Sequence, residues 1–159
     1  MTDSDLDLMR LGWELFTRIF MKYDVLEKSP IDIGAGQRFN SAQIHMIEAI
    51  GKGYGKTVTG LSAYFIVTKG AVSQIVSWLY KTGYVTKTKR KGNDKEIILE
   101  LTEKGWQAFN AHEKYNETAV AELLPLKQKY SLAEIATFLN ILSDVDRILL
   151  GFVEEEKKK

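Results

Sequence analysis

Apolar residues recur at helical spacing through most of this chain and give way to strand-like runs in one short stretch. Leu8, Leu11, Leu15 and Ile19 form one stripe, widened by Trp13, Phe16 and Phe20, which predicts an amphipathic helix over residues 4 to 23 with Ser4 as its cap and Asp7 three residues on. Residues 24 to 40, with Pro30, Gly34 and Gly36, read as a long irregular connection. Asn40 and Gln43 then form a capping box for a helix that turns Ile44, Ile47 and Ile50 inward. A further helix carries Val58, Leu61, Ser62 and Phe65 on one face. Thr68 caps the next, from about Lys69 to Lys81, which buries Val72, Ile75, Val76 and Leu79. Thr82 and Gly83 stop it; Tyr84 to Thr86 reads as a strand, Lys87 to Asp94 as a turn, and Ile97 to Leu101 as the returning strand. Thr102 caps a long helix through Trp106, Phe109, Tyr115, Val120 and Leu123, ended or bent at Pro125. Ser131 and Glu134 open a last helix with Leu132, Ile135, Leu139, Leu142, Val145, Leu149 and Phe152.

The element order from Thr57 to Leu101 is helix, tight turn, helix, hairpin: a helix-turn-helix with a wing. The fold class is therefore mainly α with a small β-hairpin wing (α+β), flanked by N- and C-terminal helices. Net charge is only +1, yet from Lys81 to Glu96 six basic residues face two acidic ones. The positive charge is local, as phosphate binding requires. The outward face of the Lys69–Lys81 helix presents Thr68, Lys69, Ser73, Gln74, Ser77 and Lys81 with no carboxylate. Such a face suits a major groove lined by base edges and phosphates, so the expected partner is double-stranded DNA.

Other chemistry is poorly represented. The chain has no cysteine and two histidines, and no nucleophile–base pattern at working spacing, so it is read as a non-enzyme without a cofactor. Gly51 to Thr57 looks like a phosphate loop but is one residue short and follows a helix, where the motif needs a strand; it reads as a turn placing Lys52 and Lys56 near DNA phosphates. Gly34 and Gly36 begin a dinucleotide fingerprint that lacks its third glycine. No stretch approaches the roughly 20 apolar residues of a membrane span, and the acidic start is the wrong sign for a signal peptide; a cytoplasmic protein with no membrane partner is expected.

The runs Thr57 to Ala63, Thr68 to Val76 and Leu79 to Val85, with Leu101, Thr102, Glu103, Lys104 and Gly105, resemble the winged helix-turn-helix of MarR-type transcriptional regulators. The resemblance implies a homodimer in which residues 1–39 and 103–159 form a helical dimerisation region and residues 40–102 bind DNA, most often as a repressor. It also implies a wing contact. Where the family carries Asp-x-Arg, this chain has Asn93, Asp94 and Lys95, so the wing set is Lys87, Lys89, Arg90, Lys91, Asn93 and Lys95.

The three amphipathic helices outside the DNA-binding region carry more apolar stripe than one small winged helix covers, which independently argues for a homodimer. Two recognition helices about 34 Å apart would then read a near-palindrome. Family members commonly hold a small-molecule effector between dimer helices and winged helix; Trp13, Phe16, Phe39, Trp106 and Phe109 are the candidates to line such a pocket, against a plain core role. His45 and His112 resemble positions used by a zinc-sensing branch, but Asn116 stands where that branch has another histidine, so no metal site is expected. The alternative function is a winged-helix protein-interaction module, which has no reason to concentrate lysines in its wing.

Overall fold

The computed structural model describes residues 2–32, 37–90 and 93–157, with the backbone alone at 90 and 93–95. It divides into two compact units, residues 1–115 and 116–159.

The first unit opens with α1, Asp3–Glu27. Its cap is Thr2 rather than Ser4: the Thr2 hydroxyl accepts from the Asp5 amide while Asp5 accepts from the Thr2 amide. The helix also runs past residue 23 to Glu27, so the irregular connection is shorter than the sequence suggests. It contains a small antiparallel pair, β1 (Ile31–Asp32) with β2 (Arg38–Phe39). Gly34 and Gly36 lie outside the described residues.

Helix α2, Ser41–Lys52, has the expected Asn40–Gln43 box and continues two residues beyond Ile50 to a left-handed Gly53 at φ 76°. Then come α3 (Val58–Tyr64), capped by Thr57, and α4 (Lys69–Lys81), capped by Thr68. The turn between them holds Ile66 at φ 58°, a conformation that a β-branched side chain rarely adopts. Strands β3 (Val85–Arg90) and β4 (Asn93–Leu101) pair antiparallel in the register Val85↔Leu101, Lys87↔Leu99, Lys89↔Ile97. Lys87 to Arg90 is thus strand, not turn. Each residue there has a ladder partner on β4, and backbone pairing outweighs the turn-like composition.

Ile44, Ile47, Leu61, Val72, Val76, Leu79, Val85 and Leu99 make the core of this unit. An aromatic group closes it: Phe39 meets Tyr84 edge-on at 5.0 Å, and Trp78 stacks on Tyr84 at 6.2 Å. The Leu99 amide donates to the Lys56 carbonyl at 2.8 Å, which fastens β4 to the segment entering α3.

Helix α5, Glu103–Ala121, runs from the first unit into the second. It ends before Pro125, which lies in a 3₁₀ turn, Leu124–Gln128, so proline separates two helices rather than bending one. Helix α6, Leu132–Glu156, starts at the expected Ser131–Glu134 box. Among the described residues no helix is long and apolar enough to cross a membrane.

Candidate nucleic-acid interface

Helix α4 divides cleanly into two faces. Val72, Val76 and Leu79 are at most 1% exposed, whereas Lys69, Ser73, Gln74 and Lys81 are exposed and Ser77 and Trp78 half-buried. Its start is fixed by Thr68, whose hydroxyl accepts from the Ala71 amide at 3.2 Å. Ser73, Gln74, Ser77, Trp78 and Lys81 together line a shallow depression open to solvent. It offers hydroxyl, amide, indole and ammonium groups and no carboxylate, a set that matches base edges and phosphates. Trp78 was not among the sequence candidates; its place one turn after Gln74 is the signal for it.

The wing is docked on this helix. Thr102 accepts from the Gly105 amide at 3.0 Å and donates to the Gly83 carbonyl at 2.7 Å, while the Lys104 ammonium donates to the Thr82 carbonyl at 2.9 Å and sits 4.2 Å over the Tyr84 ring. The Leu101–Gly105 block is therefore a clamp between the end of α4, the start of β3 and the start of α5. Of the wing candidates, Lys87 and Lys89 are exposed on β3, and the Lys87 ammonium lies 4.9 Å over the Tyr80 ring at the end of α4. Lys91 lies outside the described residues, as do the side chains of Arg90, Asn93 and Lys95.

Lys52 does not stand free for phosphate. Its ammonium is 2.6 Å from Glu48 and 3.1 Å from Glu113, and these partners raise its pKa. Around that pair the structure assembles groups that are far apart in sequence. His112 is 2% exposed, with Nε2 3.4 Å from Glu48 Oε2 and its ring 5.5 Å from that of His45. His45 Nδ1 is 3.8 Å from Glu27, which accepts from the Ser41 hydroxyl. Burial pushes the His112 pKa down against the pull of Glu48. Burial raises the Glu48 carboxyl, but the Lys52 hydrogen bond and charge outweigh it and hold the pKa below the ordinary value. Tyr23 is pushed up to about 12 by burial and by its hydrogen bond to Glu27. Donor atoms of His45, Glu48 and His112 lie within 4.8 Å of one another, and neither His112 ring nitrogen makes a hydrogen bond. Two imidazoles and a carboxylate fit a first-row divalent cation. The signal for Glu48 and Lys52 was their spacing on one helix face, three and seven residues after His45.

The five aromatic pocket candidates fall in three places. Phe39 is wholly buried in the core. Trp13 and Phe16 stack on each other at 5.8 Å along α1. Trp106 and Phe109 meet edge-on at 5.2 Å on α5, Phe109 partly buried against the core. In the second unit, Val120, Leu123, Leu126, Tyr130, Phe138 and Leu139 line an apolar groove of about 730 Å³.

No protein-family model matches the chain. It is 27% identical over 123 residues to the uncharacterised HTH-type transcriptional regulator YhjH of Bacillus subtilis, covering 77% of this chain and 70% of that protein. Among solved structures, Streptococcus pneumoniae FabT in complex with DNA is 25% identical with a TM-score of 0.70, covering 91% of this chain and 99% of FabT. The zinc-responsive MarR family member ZitR of Lactococcus lactis shares the fold at 17% identity and a TM-score of 0.65, over 86% of this chain and 97% of ZitR. With the helix-turn-helix of α3 and α4, its docked wing and solved neighbours that are MarR-family regulators, the chain has the winged helix-turn-helix fold of MarR-type proteins.

Proposed function

We propose that this protein is a homodimeric, sequence-specific reader of double-stranded DNA that represses transcription by covering a near-palindromic operator. The observation that carries the reading is the outward face of α4: hydrogen-bonding groups without negative charge, on a helix capped by Thr68 and flanked by Lys87 and Lys89 of the wing. Gln74 has the geometry to bond an adenine bidentately, Ser73 and Ser77 reach bases or phosphate, and the lysines anchor the backbone.

The terminal helices support the dimer. Helix α1 and helix α6 are 25 residues each and bury no residue within one chain. Leu8, Leu11 and Ile19 on α1 and Leu132, Phe138 and Leu139 on α6 are all more than half exposed. Helical stability in water rests mainly on burying such a face, and a second copy supplies the cover. In this reading residues 40–102 read DNA and residues 1–39 and 103–159 join the subunits. A small-molecule effector that bound one spacing of the recognition helices better than another would relieve repression by that difference in affinity.

Selection of bound duplexes from a random library tests the proposal. Enrichment of a near-palindrome with half-sites one helical turn apart supports it. Weak, salt-sensitive binding with no enriched sequence overturns it in favour of a protein-interaction module whose wing binds phosphate generically.

A further inference from the structure

The turn that leads into α4 keeps apolar side chains in the open. Ile66 is 38% exposed and Val67 45%, and Ala71, in the first turn of the helix, is exposed as well. Val67 directly precedes the Thr68 cap, where an apolar residue ordinarily staples itself to the fourth helical residue. That residue, Val72, is wholly buried, yet nearly half of Val67 stays open to solvent. Ile66 is the more telling of the two. Its φ of 58° suits glycine, and a β-branched residue is held there only at a cost in strain. The packing of α3 and α4 fixes the conformation but does not require an isoleucine, since glycine would adopt it freely. Strain kept in this way collects at places that a function uses.

The position of this apolar lip along the helix decides what it meets. Ala71 and Gln74 are three residues apart and therefore neighbours on the helix surface, and Gln74 lines the depression shared with Ser73, Ser77 and Lys81. In a helix-turn-helix, the N-terminal residues of the recognition helix are the ones that reach base edges. Among the four bases only thymine offers a methyl group in the major groove, where it takes apolar contact, and its partner adenine is the base that a glutamine bonds bidentately. We propose that Ile66, Val67 and Ala71 read thymine 5-methyl groups, so that each half-site carries thymine beside the adenine met by Gln74. The inference rests on the DNA-reading function proposed above and adds its base preference. None of the three side chains donates or accepts a hydrogen bond, so the selectivity lies in the methyl group alone.

Replacing thymine by deoxyuridine, one position at a time, in the duplex enriched from the random library removes the methyl and leaves every hydrogen-bonding group in place. Fluorescence anisotropy with the full-length wild type should find a position in each half-site where this change weakens binding by about four-fold, the worth of one buried methyl group. Ala71→Ser and Val67→Ser, both at exposed positions, should bring that ratio towards one, as should Ile66→Asn, which tolerates the left-handed turn. Specific binding by the wild type that is indifferent to deoxyuridine at every position overturns the lip and leaves DNA reading standing; so does a ratio that persists unchanged in all three variants. Failure to enrich any duplex overturns the DNA reading itself, and the lip with it.

Discussion

A Cβ built on Gly105 would lie 2.1 Å from the carbonyl oxygen of Tyr84. Helix α5 therefore approaches the start of the wing so closely that only glycine fits. The opposing atom is backbone, held by the Thr102 amide, which donates to it at 3.1 Å. Gly105→Ala should cost at least about 2 kcal/mol, as overpacking against an immovable neighbour does. Urea unfolding followed by circular dichroism checks this, and a midpoint equal to the wild type would show that the junction yields.

Base reading and phosphate anchoring should separate by mutation. Gln74→Ala is expected to lose about 1–3 kcal/mol on the selected duplex and little on scrambled DNA. Lys87→Ala should weaken both alike and lower the salt slope by about one. Fluorescence anisotropy at several salt concentrations distinguishes them; a Gln74→Ala variant that binds every duplex as the parent does removes Gln74 from base contact.

The exposed stripe of α6 makes a prediction about mass. Leu139 is 58% exposed in one chain. Placing a carboxylate there by Leu139→Asp should dissociate the dimer, since an unpaired charge is costly to bury. Sedimentation equilibrium should report about twice 18.1 kDa for the wild type and a single chain for the variant.

Acid should loosen the α2–α5 junction. The pKa of His112 is depressed in the folded state, so the unfolded chain takes up its proton first as pH falls below the ordinary value of 6.5, and stability drops. The depressed Glu48 carboxyl adds a loss of the same sign as pH falls below 4.5. His112→Gln should flatten the first part of that decline. Thermal melts across pH 4 to 8 test it, and an unchanged slope in His112→Gln would assign the dependence elsewhere.

Much of this architecture is written in local signals. Thr68 and Gly83 bracket the recognition helix, and the Asn40–Gln43 and Ser131–Glu134 boxes mark two more starts. The first helix shows the limit of such signals. Ser4 with Asp7 and Thr2 with Asp5 are equally good local patterns, and only the longer helix selects between them. The wing strands outrun their composition because cross-strand partners, absent from any local window, decide where pairing stops. Ile66 was illegible for a similar reason. A left-handed turn is sought at glycine or asparagine, yet here the packing of α3 and α4 imposes it on isoleucine. The α4 face was readable because one helix carries it. His45 and His112 stood out by resemblance, but Glu48 and Lys52 did not, since three helices must meet before they acquire their roles.

The alternation of β3 sets a parity rule for the wing. Lys87 and Lys89 lie on the same face because one residue, Thr88, separates them, and that face also carries the Tyr80 contact. Inserting one residue between them would turn Lys89 to the other side of the ribbon; inserting two would restore it, about 6.6 Å farther out. The wing can therefore change its reach only in even steps while keeping its charge on one face.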